Sequence, residues 1–234
     1  MAIKGILFDK DGTLIEVNGT WVPLYRNMLH NDFGYQPAEV EAMLVRGGYN
    51  SITEGFEAGS VLGGGTTAQL VSLWWPQLDA ERHWQRVQLI DNEIAPKAKA
   101  FIKPLMDLVP VFDTLRAMKL RLGIATNDSH PSASAQMHHL AVHHYFEAII
   151  GADMVTIAKP SGHMVQLFCE RTGLAPAEVA MVGDNFHDME EARHGGAGLA
   201  VAVLSGNSAH GDIAHLADHV LENVAELPAL LRSL

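Results

Sequence analysis

Residues 3–14 read Ile-Lys-Gly-Ile-Leu-Phe-Asp-Lys-Asp-Gly-Thr-Leu, a short apolar run that ends abruptly in a polar turn. Such a run, bounded by a turn, is typical of a strand buried on both faces of a sheet. Asp9 and Asp11 follow this strand at its carboxyl end, which is where open α/β sheets bind ligands. Because residues two apart in an extended segment point the same way, we expect the two carboxylates to share one small volume. Gly12 lets the backbone turn sharply directly after them.

Later segments repeat this pattern in alternation with helices. Further strands, each short and apolar, are predicted at 120–126, 148–151, 179–183, 198–203 and 219–221. Helical patterns lie between or after them, at 131–140, 162–171, 186–194 and 224–232. Strands that alternate with helices at this spacing predict an α/β fold, a Rossmann-like, doubly wound parallel sheet covered on both faces.

The segment from residue 16 to residue 102 interrupts this alternation. Helices are predicted in it at 23–31, 37–46, 66–74 and 79–94, with no convincing strand. The sequence thus predicts a core of residues 1–15 and 103–234 and a helical insert of residues 16–102. The four tryptophans are all in the insert and indicate a small helical core of its own: Trp21, Trp74, Trp75 and Trp84. A glycine-rich loop is expected at 47–65, and loops of that length are usually functional or mobile.

Composition excludes several classes of protein. The 234 residues include 16 basic and 27 acidic ones, for a net charge of −11, which argues against a nucleic-acid partner. No apolar run reaches the roughly 18 residues that span a bilayer, and no secretory signal is visible, so we expect neither a membrane partner nor export. The single Cys169 cannot form an internal disulfide, in keeping with a cytoplasmic location.

A second acidic pair follows the strand predicted at 179–183. Asp184 and Asp188 are four residues apart and share one face if a helix begins there. If they meet Asp9 and Asp11, four carboxylates crowd one cleft and require protons or a hard cation, and oxygen ligands favour Mg²⁺. The alternative is that these aspartates only cap turns.

Two weaker signals lie at the ends of other strands. Thr126 and Asn127 end the strand predicted at 120–126 and supply a hydroxyl and an amide. Lys159, followed by Pro160, comes after the strand predicted at 148–151 and supplies a positive charge. In this order, at successive strand ends, these residues are expected to converge on one crevice as a phosphate site.

These motifs together resemble the haloacid dehalogenase superfamily. The first motif is Asp9 to Leu14, the second Thr126-Asn127, the third Lys159-Pro160 and the fourth Gly183 to Asp188. The resemblance covers the whole predicted core, and a helical insert directly after the first motif is similar to the small α-helical cap of that family. Within that superfamily, the sequence resembles the phosphoglycolate-phosphatase-like hydrolases.

The resemblance implies a role for each residue. Asp9 would be the nucleophile that forms an aspartyl-phosphate, and Asp11 would protonate the leaving alcohol and then activate water. Mg²⁺ would be bound by Asp9, by the backbone carbonyl of Asp11 and by Asp184, with Asp188 in support. The remaining phosphate-site residues would hold or neutralise the phosphoryl group: Gly12, Thr126, Asn127 and Lys159.

For other residues near these motifs, the sequence gives weaker indications of a role. Arg46 and Tyr49 flank the loop at 47–65 and are candidates for substrate specificity, although a solvated arginine at a helix end is the alternative for Arg46. Lys10 is expected to point away from the site, because alternate residues face opposite sides. His187 is expected to line the entrance. The histidines at 138, 139, 143 and 144 are expected to lie on a surface helix and turn rather than to bind metal.

The function implied is that of a Mg²⁺-dependent phosphatase acting on a small phosphorylated metabolite. Asp11 favours this over dehalogenation, because an alkoxide leaving group needs a proton and a halide does not. A phosphosugar mutase of the same family is the nearest alternative, and a non-catalytic regulatory or binding protein is another. The oligomeric state is left open between monomer and homodimer.

Overall fold

The computed structural model describes residues 2–234. Six of its strands form one parallel sheet: β1 (Gly5–Phe8), β4 (Arg121–Ala125), β5 (Phe146–Ile150), β6 (Val179–Gly183), β7 (Leu199–Val203) and β8 (His219–Leu221). A separate two-stranded hairpin consists of β2 (Tyr49–Asn50) and β3 (Gly55–Phe56). The predicted doubly wound parallel fold is confirmed, and each of its six predicted strands lies within two residues of an observed one.

The helices of the insert come between β1 and β4. They are α1 (Val17–Asn27), α2 (Pro37–Arg46), α3 (Val61–Gly64), α4 (Thr67–Trp74) and α5 (Ala80–Leu89). Wider helical turns extend α1 through Met28–Asp32 and α5 through Ile90–Ile94, and a tight helical turn follows at Ala95–Ala100. The remaining helices flank the sheet: α6 (Val109–Ala117), α7 (His130–His139), α8 (His163–Thr172), α9 (Phe186–Gly195), α10 (His210–Ile213) and α11 (Leu227–Ser233).

Strand order places β1 at the centre of the sheet. The order is β5-β4-β1-β6-β7-β8, so β1 pairs with β4 on one side and β6 on the other. The chain runs outward from β1 through β4 to β5 and then crosses to β6 on the other side of β1, and doubly wound sheets form a ligand crevice at their carboxyl edge where the strand order reverses in this way. The fold therefore predicts the site at the ends of β1, β4 and β6.

Apolar residues of the strands alternate between two buried layers. Ile6 and Phe8 pack with α6 on one face, whereas Leu7 packs with α8 and α9 on the other. The insert has a third apolar cluster of its own, which contains Trp21, Trp74 and Trp75. Trp84, by contrast, is 62% exposed, so one of the four tryptophans does not belong to that cluster. The division into a core and an insert at residues 15 and 102 stays a prediction.

The structure corrects three expectations for the insert. The first helix begins at Val17 rather than at residue 23, since Pro23 is accommodated inside α1. The segment 47–65 is not a continuous loop, because it contains the β2–β3 hairpin and α3. The expectation that the insert has no strand is therefore wrong: two-residue strands are too short to produce a readable alternation. None of the helices that the structure describes is both long and apolar enough to cross a membrane.

Candidate active site

The carboxyl ends of β1, β4 and β6 bring the predicted site residues together. The Asp9 backbone N–H donates to the Val182 carbonyl at 2.8 Å, which extends the β1–β6 pairing one residue beyond the strand. The Thr126 N–H donates to the Ile150 carbonyl at 2.9 Å in the same way. Because the strands are parallel neighbours, the residues that follow them lie at one edge of the sheet. Asp9, Thr126 and Asp184 consequently line a common cleft.

Lys159 is the cation of this cleft. Its Nζ donates to Asp9 Oδ1 and to Asp188 Oδ1, each at 2.6 Å, and to the Ala125 carbonyl at 3.0 Å. Burial alone would lower the pKa of Lys159, but Asp188 and Asp9 more than offset it and raise the pKa above its ordinary value. Lys159 is thus held as an ammonium.

Three buried aspartates form a candidate metal site. Asp9, Asp184 and Asp188 each offer a carboxylate oxygen, and these oxygens lie within 4.8 Å of one another. Burial, together with repulsion from Asp188 and Asp11, raises the pKa of Asp9 to about 7 despite Lys159, and burial also raises the pKa of Asp184. Carboxylates that resist ionisation in this way favour a positive partner. The all-oxygen set fits a hard divalent cation such as Mg²⁺.

Two glycine residues, which have no side chain, lie against the Asp184 carboxylate. Gly12 has a φ of 87°, and a Cβ added to it would lie 2.5 Å from Asp184 Oδ2. Gly206 is packed against the same carboxylate. The Asn207 N–H donates to Asp184 Oδ2 at 3.2 Å. Gly12 therefore both permits the left-handed turn and leaves room for the carboxylate.

Asp11 is held by two donors, one of which the sequence analysis placed elsewhere. Trp21 Nε1 donates to Asp11 Oδ1 at 2.6 Å, and Lys10 Nζ lies 2.7 Å from Asp11 Oδ2. The expectation that Lys10 points away from the site is wrong. Alternation holds only within a strand, and β1 has already ended at Phe8. The Asp11 side chain is not in the three-aspartate group, and its expected contribution to the metal is through its backbone carbonyl.

Lys10 also connects Asp11 to a further carboxylate. It is fully buried, and its Nζ lies 3.2 Å from Asp128 Oδ2 and donates to Gln136 Oε1 at 2.8 Å. Burial would lower the pKa of Lys10, but Asp11 and Asp128 reverse that effect and raise it. The pKa of Asp128 is raised to about 6, chiefly by burial. Lys10 thus joins Asp11 to the start of α7.

Asn127 connects the core to the insert. Its Nδ2 donates to the Gly64 carbonyl at 2.9 Å, and its Oδ1 accepts the Lys159 N–H at 3.1 Å. Its neighbour Thr126 uses its hydroxyl to accept the Asp128 N–H at 3.1 Å. The side chain of Asn127 is thereby committed to positioning Lys159 and the end of α3 at Gly64.

Arg46 and Tyr49 are not brought to this site. Arg46 is exposed at the end of α2, whereas Tyr49 is buried in the insert and accepts a hydrogen bond from Arg26 through its hydroxyl. Neither residue is among those that line the cleft. His187 does line it, as expected, and burial lowers the pKa of His187.

The histidines at 138, 139, 143 and 144 are exposed at the end of α7 and in the turn after it. The rings of His138 and His143 stack at 3.7 Å. Among residues 2–234, the three aspartates form the one group of such side chains close enough together to hold a metal ion.

Trp21 and Lys10 are the functional candidates that sequence reasoning missed. A first helix that begins at Val17 would place Trp21, Tyr25 and Met28 after it at helical spacing on one face. All four line the cleft, together with the Gly63–Gly65 backbone. The cleft is small, with a volume of about 70 Å³.

Comparison with known proteins identifies the family. Residues 3–196 match the family described as haloacid dehalogenase-like hydrolase, so the chain belongs to that family. Pyrophosphatase PpaX from Bacillus velezensis is 24% identical over 225 residues, which cover 96% of this chain and 94% of that protein. Phosphoglycolate phosphatase from Chromobacterium violaceum is 35% identical over 120 residues, which cover 51% of this chain and 52% of that one.

Solved structures show the same fold. The crystal structure of a hydrolase from Pseudomonas syringae aligns with a TM-score of 0.71 at 20% identity, covering 99% of each chain. That of a predicted phosphatase from Clostridium acetobutylicum aligns with a TM-score of 0.75 at 17% identity, covering 100% of each. At these identities the likeness establishes the architecture, and the chemistry is argued from the site.

Proposed function

We propose that this chain is a Mg²⁺-dependent phosphatase that hydrolyses a small phosphomonoester through an aspartyl-phosphate on Asp9. The observation that carries the proposal is the contact of one buried lysine, Lys159, with both Asp9 and Asp188, beside Asp184. Relatives named phosphoglycolate phosphatase and pyrophosphatase support phosphoryl hydrolysis. Their names differ in the leaving group, so they do not fix the substrate.

In the first step, a carboxylate oxygen of Asp9 attacks phosphorus and the bond from phosphorus to the leaving oxygen breaks. Asp11 delivers a proton to that oxygen, so that an alcohol rather than an alkoxide departs. Trp21 and Lys10 orient the Asp11 carboxyl by holding one oxygen each. The products of this step are the alcohol and the acyl phosphate on Asp9.

In the second step, water attacks the phosphorus of the acyl phosphate. Asp11, now a carboxylate, accepts a proton from this water, and the bond between phosphorus and the Asp9 oxygen breaks. Inorganic phosphate leaves and Asp9 is restored. Lys159 neutralises charge on Asp9, and Thr126 and the Asn127 and Gly12 backbone are proposed to hold phosphoryl oxygens.

The proposed metal ligands are Asp9, Asp184, Asp188 and the backbone carbonyl of Asp11. Five aspartates line the cleft, and the two lysines that contact them offset only part of their charge. When bound, Mg²⁺ supplies positive charge to the carboxylates and to the phosphoryl oxygens. Asp188 is proposed to support the principal ligands Asp9 and Asp184.

The helical insert is proposed to act as a cap. Gly64 of the insert accepts the hydrogen bond from Asn127 of the core, so the insert covers the cleft in this arrangement. A cover of this kind excludes bulk water and must open to admit substrate. We further propose a cytoplasmic enzyme, because the single Cys169 is buried and unpaired.

The test is a phosphate-release assay with and without Mg²⁺ on a panel of phosphomonoesters. The wild type is expected to release phosphate only with the metal, and Asp9→Asn is expected to release none above background. Arg46→Gln serves as the matched control, since Arg46 lies outside the cleft, and should retain activity. Metal-independent release, or full activity in Asp9→Asn, would contradict the proposal. A mutase would instead release little phosphate and require a bisphosphate activator.

A further inference from the structure

The wall that the insert presents to the phosphate site is apolar. Large apolar side chains of the insert line much of the cleft, among them Trp21, Leu24, Tyr25, Met28, Leu62 and Leu70. Each of them is buried and belongs to the apolar cluster of the insert. A leaving group attached to the phosphoryl group would meet this wall, because the insert covers the cleft from that side.

Positive charge is confined to the phosphate end of the cleft. Lys159 is the only lysine or arginine among the residues lining it in the part of the chain that the structure describes, and it is committed to Asp9 and Asp188. Lys10 lies behind Asp11, between that carboxylate and Asp128.

None of the lysines and arginines of the insert lines the cleft, and several of them have partners elsewhere. Arg26 pairs with Glu41, and Lys97 pairs with Asp32. Arg86 lies over the rings of Phe33 and Trp75. A carboxylate or second phosphate on the leaving group would therefore be desolvated against apolar side chains without a cation, beside Asp11 and Asp128. A buried charge without a partner is strongly disfavoured.

A few polar groups of the cleft fit an uncharged partner. His187 Nδ1 is buried and has no hydrogen-bond partner among the described residues. The Gly63–Gly65 backbone and Thr66 line the same space. These groups can meet a hydroxyl or an ether oxygen, and none of them supplies a charge.

We propose that the leaving group of the substrate is a small, uncharged alcohol that places an apolar flank against the insert. This inference rests on the proposed phosphatase function and adds the class of leaving group. Such a leaving group differs from the leaving groups that the names of two relatives indicate, because phosphoglycolate carries a carboxylate and pyrophosphate carries a second phosphate.

The test compares kcat/KM of the Mg²⁺-loaded wild type for three small substrates: n-propyl phosphate, 2-phosphoglycolate and pyrophosphate. We expect n-propyl phosphate to exceed both charged substrates by about tenfold or more. Equal or higher kcat/KM for either charged substrate would overturn the inference while leaving the phosphatase proposal intact. No release from any of the three or from 4-nitrophenyl phosphate would overturn the phosphatase proposal itself, and the inference with it.

A substitution that adds a cation to the apolar wall of the cleft tests the same inference, because it should favour a charged leaving group. Met28→Lys keeps a long unbranched side chain and places an ammonium at the cleft, whereas the control Met43→Lys adds one to the insert core outside the cleft. Met28→Lys is expected to raise the ratio of kcat/KM for 2-phosphoglycolate to that for n-propyl phosphate by about tenfold, and Met43→Lys to leave the ratio unchanged. An unchanged ratio in folded Met28→Lys would refute the inference. If that variant does not fold, the three wild-type values decide.

Discussion

At the scale of single residues, Asp11 is a carboxylate with a donor against each of its two oxygens. One of its oxygens accepts from Trp21 and the other lies against Lys10, and the Lys10 ammonium is also 5.1 Å from the centre of the Trp21 ring. Trp21 comes from the insert, whereas Asp11 follows the first core strand. The group proposed to transfer the proton is thus oriented partly by the insert.

Trp21→Phe should slow turnover of substrates whose leaving group needs a proton. We expect kcat for n-propyl phosphate to fall about tenfold, because Asp11 loses the donor that orients it. For 4-nitrophenyl phosphate the fall should be much smaller, because nitrophenolate leaves without a proton. Steady-state kinetics on both substrates measure the difference.

Trp74→Phe is the matched control, since Trp74 also packs on Tyr25 but donates to the Met43 carbonyl instead. It should affect both substrates alike. If Trp21→Phe also slowed the two substrates equally, Trp21 would have a packing role and would not be a positioning residue for Asp11.

Gly12→Ala should abolish activity because the added methyl group would collide with Asp184, in addition to the strain that the backbone conformation imposes. The added Cβ would lie 2.5 Å from Asp184 Oδ2 and would displace that carboxylate. Gly34 also has a positive φ, of 77°, but nothing lies within 4 Å of its added Cβ. Gly34→Ala should thus lose only about 1–2 kcal/mol of stability and keep its kcat. Phosphate release combined with thermal melting compares the two variants, and equal kcat in both would show that the Asp184 contact is unimportant.

At the scale of elements, the helical turn Ile90–Ile94 is a joint between insert and core. Asp91 Oδ1 accepts from the Thr67 hydroxyl at 2.6 Å, and the Asp91 carbonyl accepts from the Ser129 hydroxyl at 3.1 Å. Burial, with a smaller contribution from the charges of Asp128 and Asp153, raises the pKa of Asp91 to about 6 despite the opposing effect of the Thr67 hydrogen bond. The ionised form of this carboxyl is thus disfavoured at the joint.

Asp91→Asn should change how stability depends on pH. Above pH 6, Asp91 of the wild type is ionised in both the folded and unfolded states. Its buried charge in the folded state lowers the free energy of unfolding. As the pH falls, the folded state binds a proton before the unfolded state does, so the wild type gains stability that the variant does not. The free energy of unfolding of Asp91→Asn minus that of the wild type should fall by about 2 kcal/mol between about pH 7.5 and about pH 4.5.

Urea unfolding at several pH values measures this difference. Glu57→Gln, which neutralises an exposed acid of the insert, is the control and should show little change. A difference between Asp91→Asn and the wild type that does not vary with pH would contradict the account of Asp91.

At the scale of the whole molecule, the sheet was predictable and the joint between insert and core was not. Short apolar runs that end in polar residues are local signals, and they located Asp9, Thr126 and Asp184 at one edge of the sheet. Lys159 was also found, because its charge follows a strand end. To predict these residues, only the rule that ligands bind where parallel strands end was needed.

The missed features depend on contacts between segments remote in sequence. Trp21 reaches Asp11, Lys10 reaches Asp128, and Asn127 reaches Gly64, and none of these pairs follows from a periodic pattern. Arg46 was chosen by its position beside a loop, but the hairpin and α3 form there and the residue stays outside the cleft. Local patterns predict elements, whereas the orientation of the insert on the core requires tertiary packing.

The proposed chemistry requires that Asp9 become phosphorylated during turnover. The most direct measurement is intact-protein and peptide mass spectrometry of Asp11→Asn after incubation with Mg²⁺ and n-propyl phosphate or 4-nitrophenyl phosphate, quenched in acid. We predict a gain of one phosphoryl group located on Asp9, because attack can proceed slowly while hydrolysis of the acyl phosphate lacks its base. Continued phosphate release by this variant with an unmodified Asp9, or a phosphoryl group on any other residue, would contradict the account.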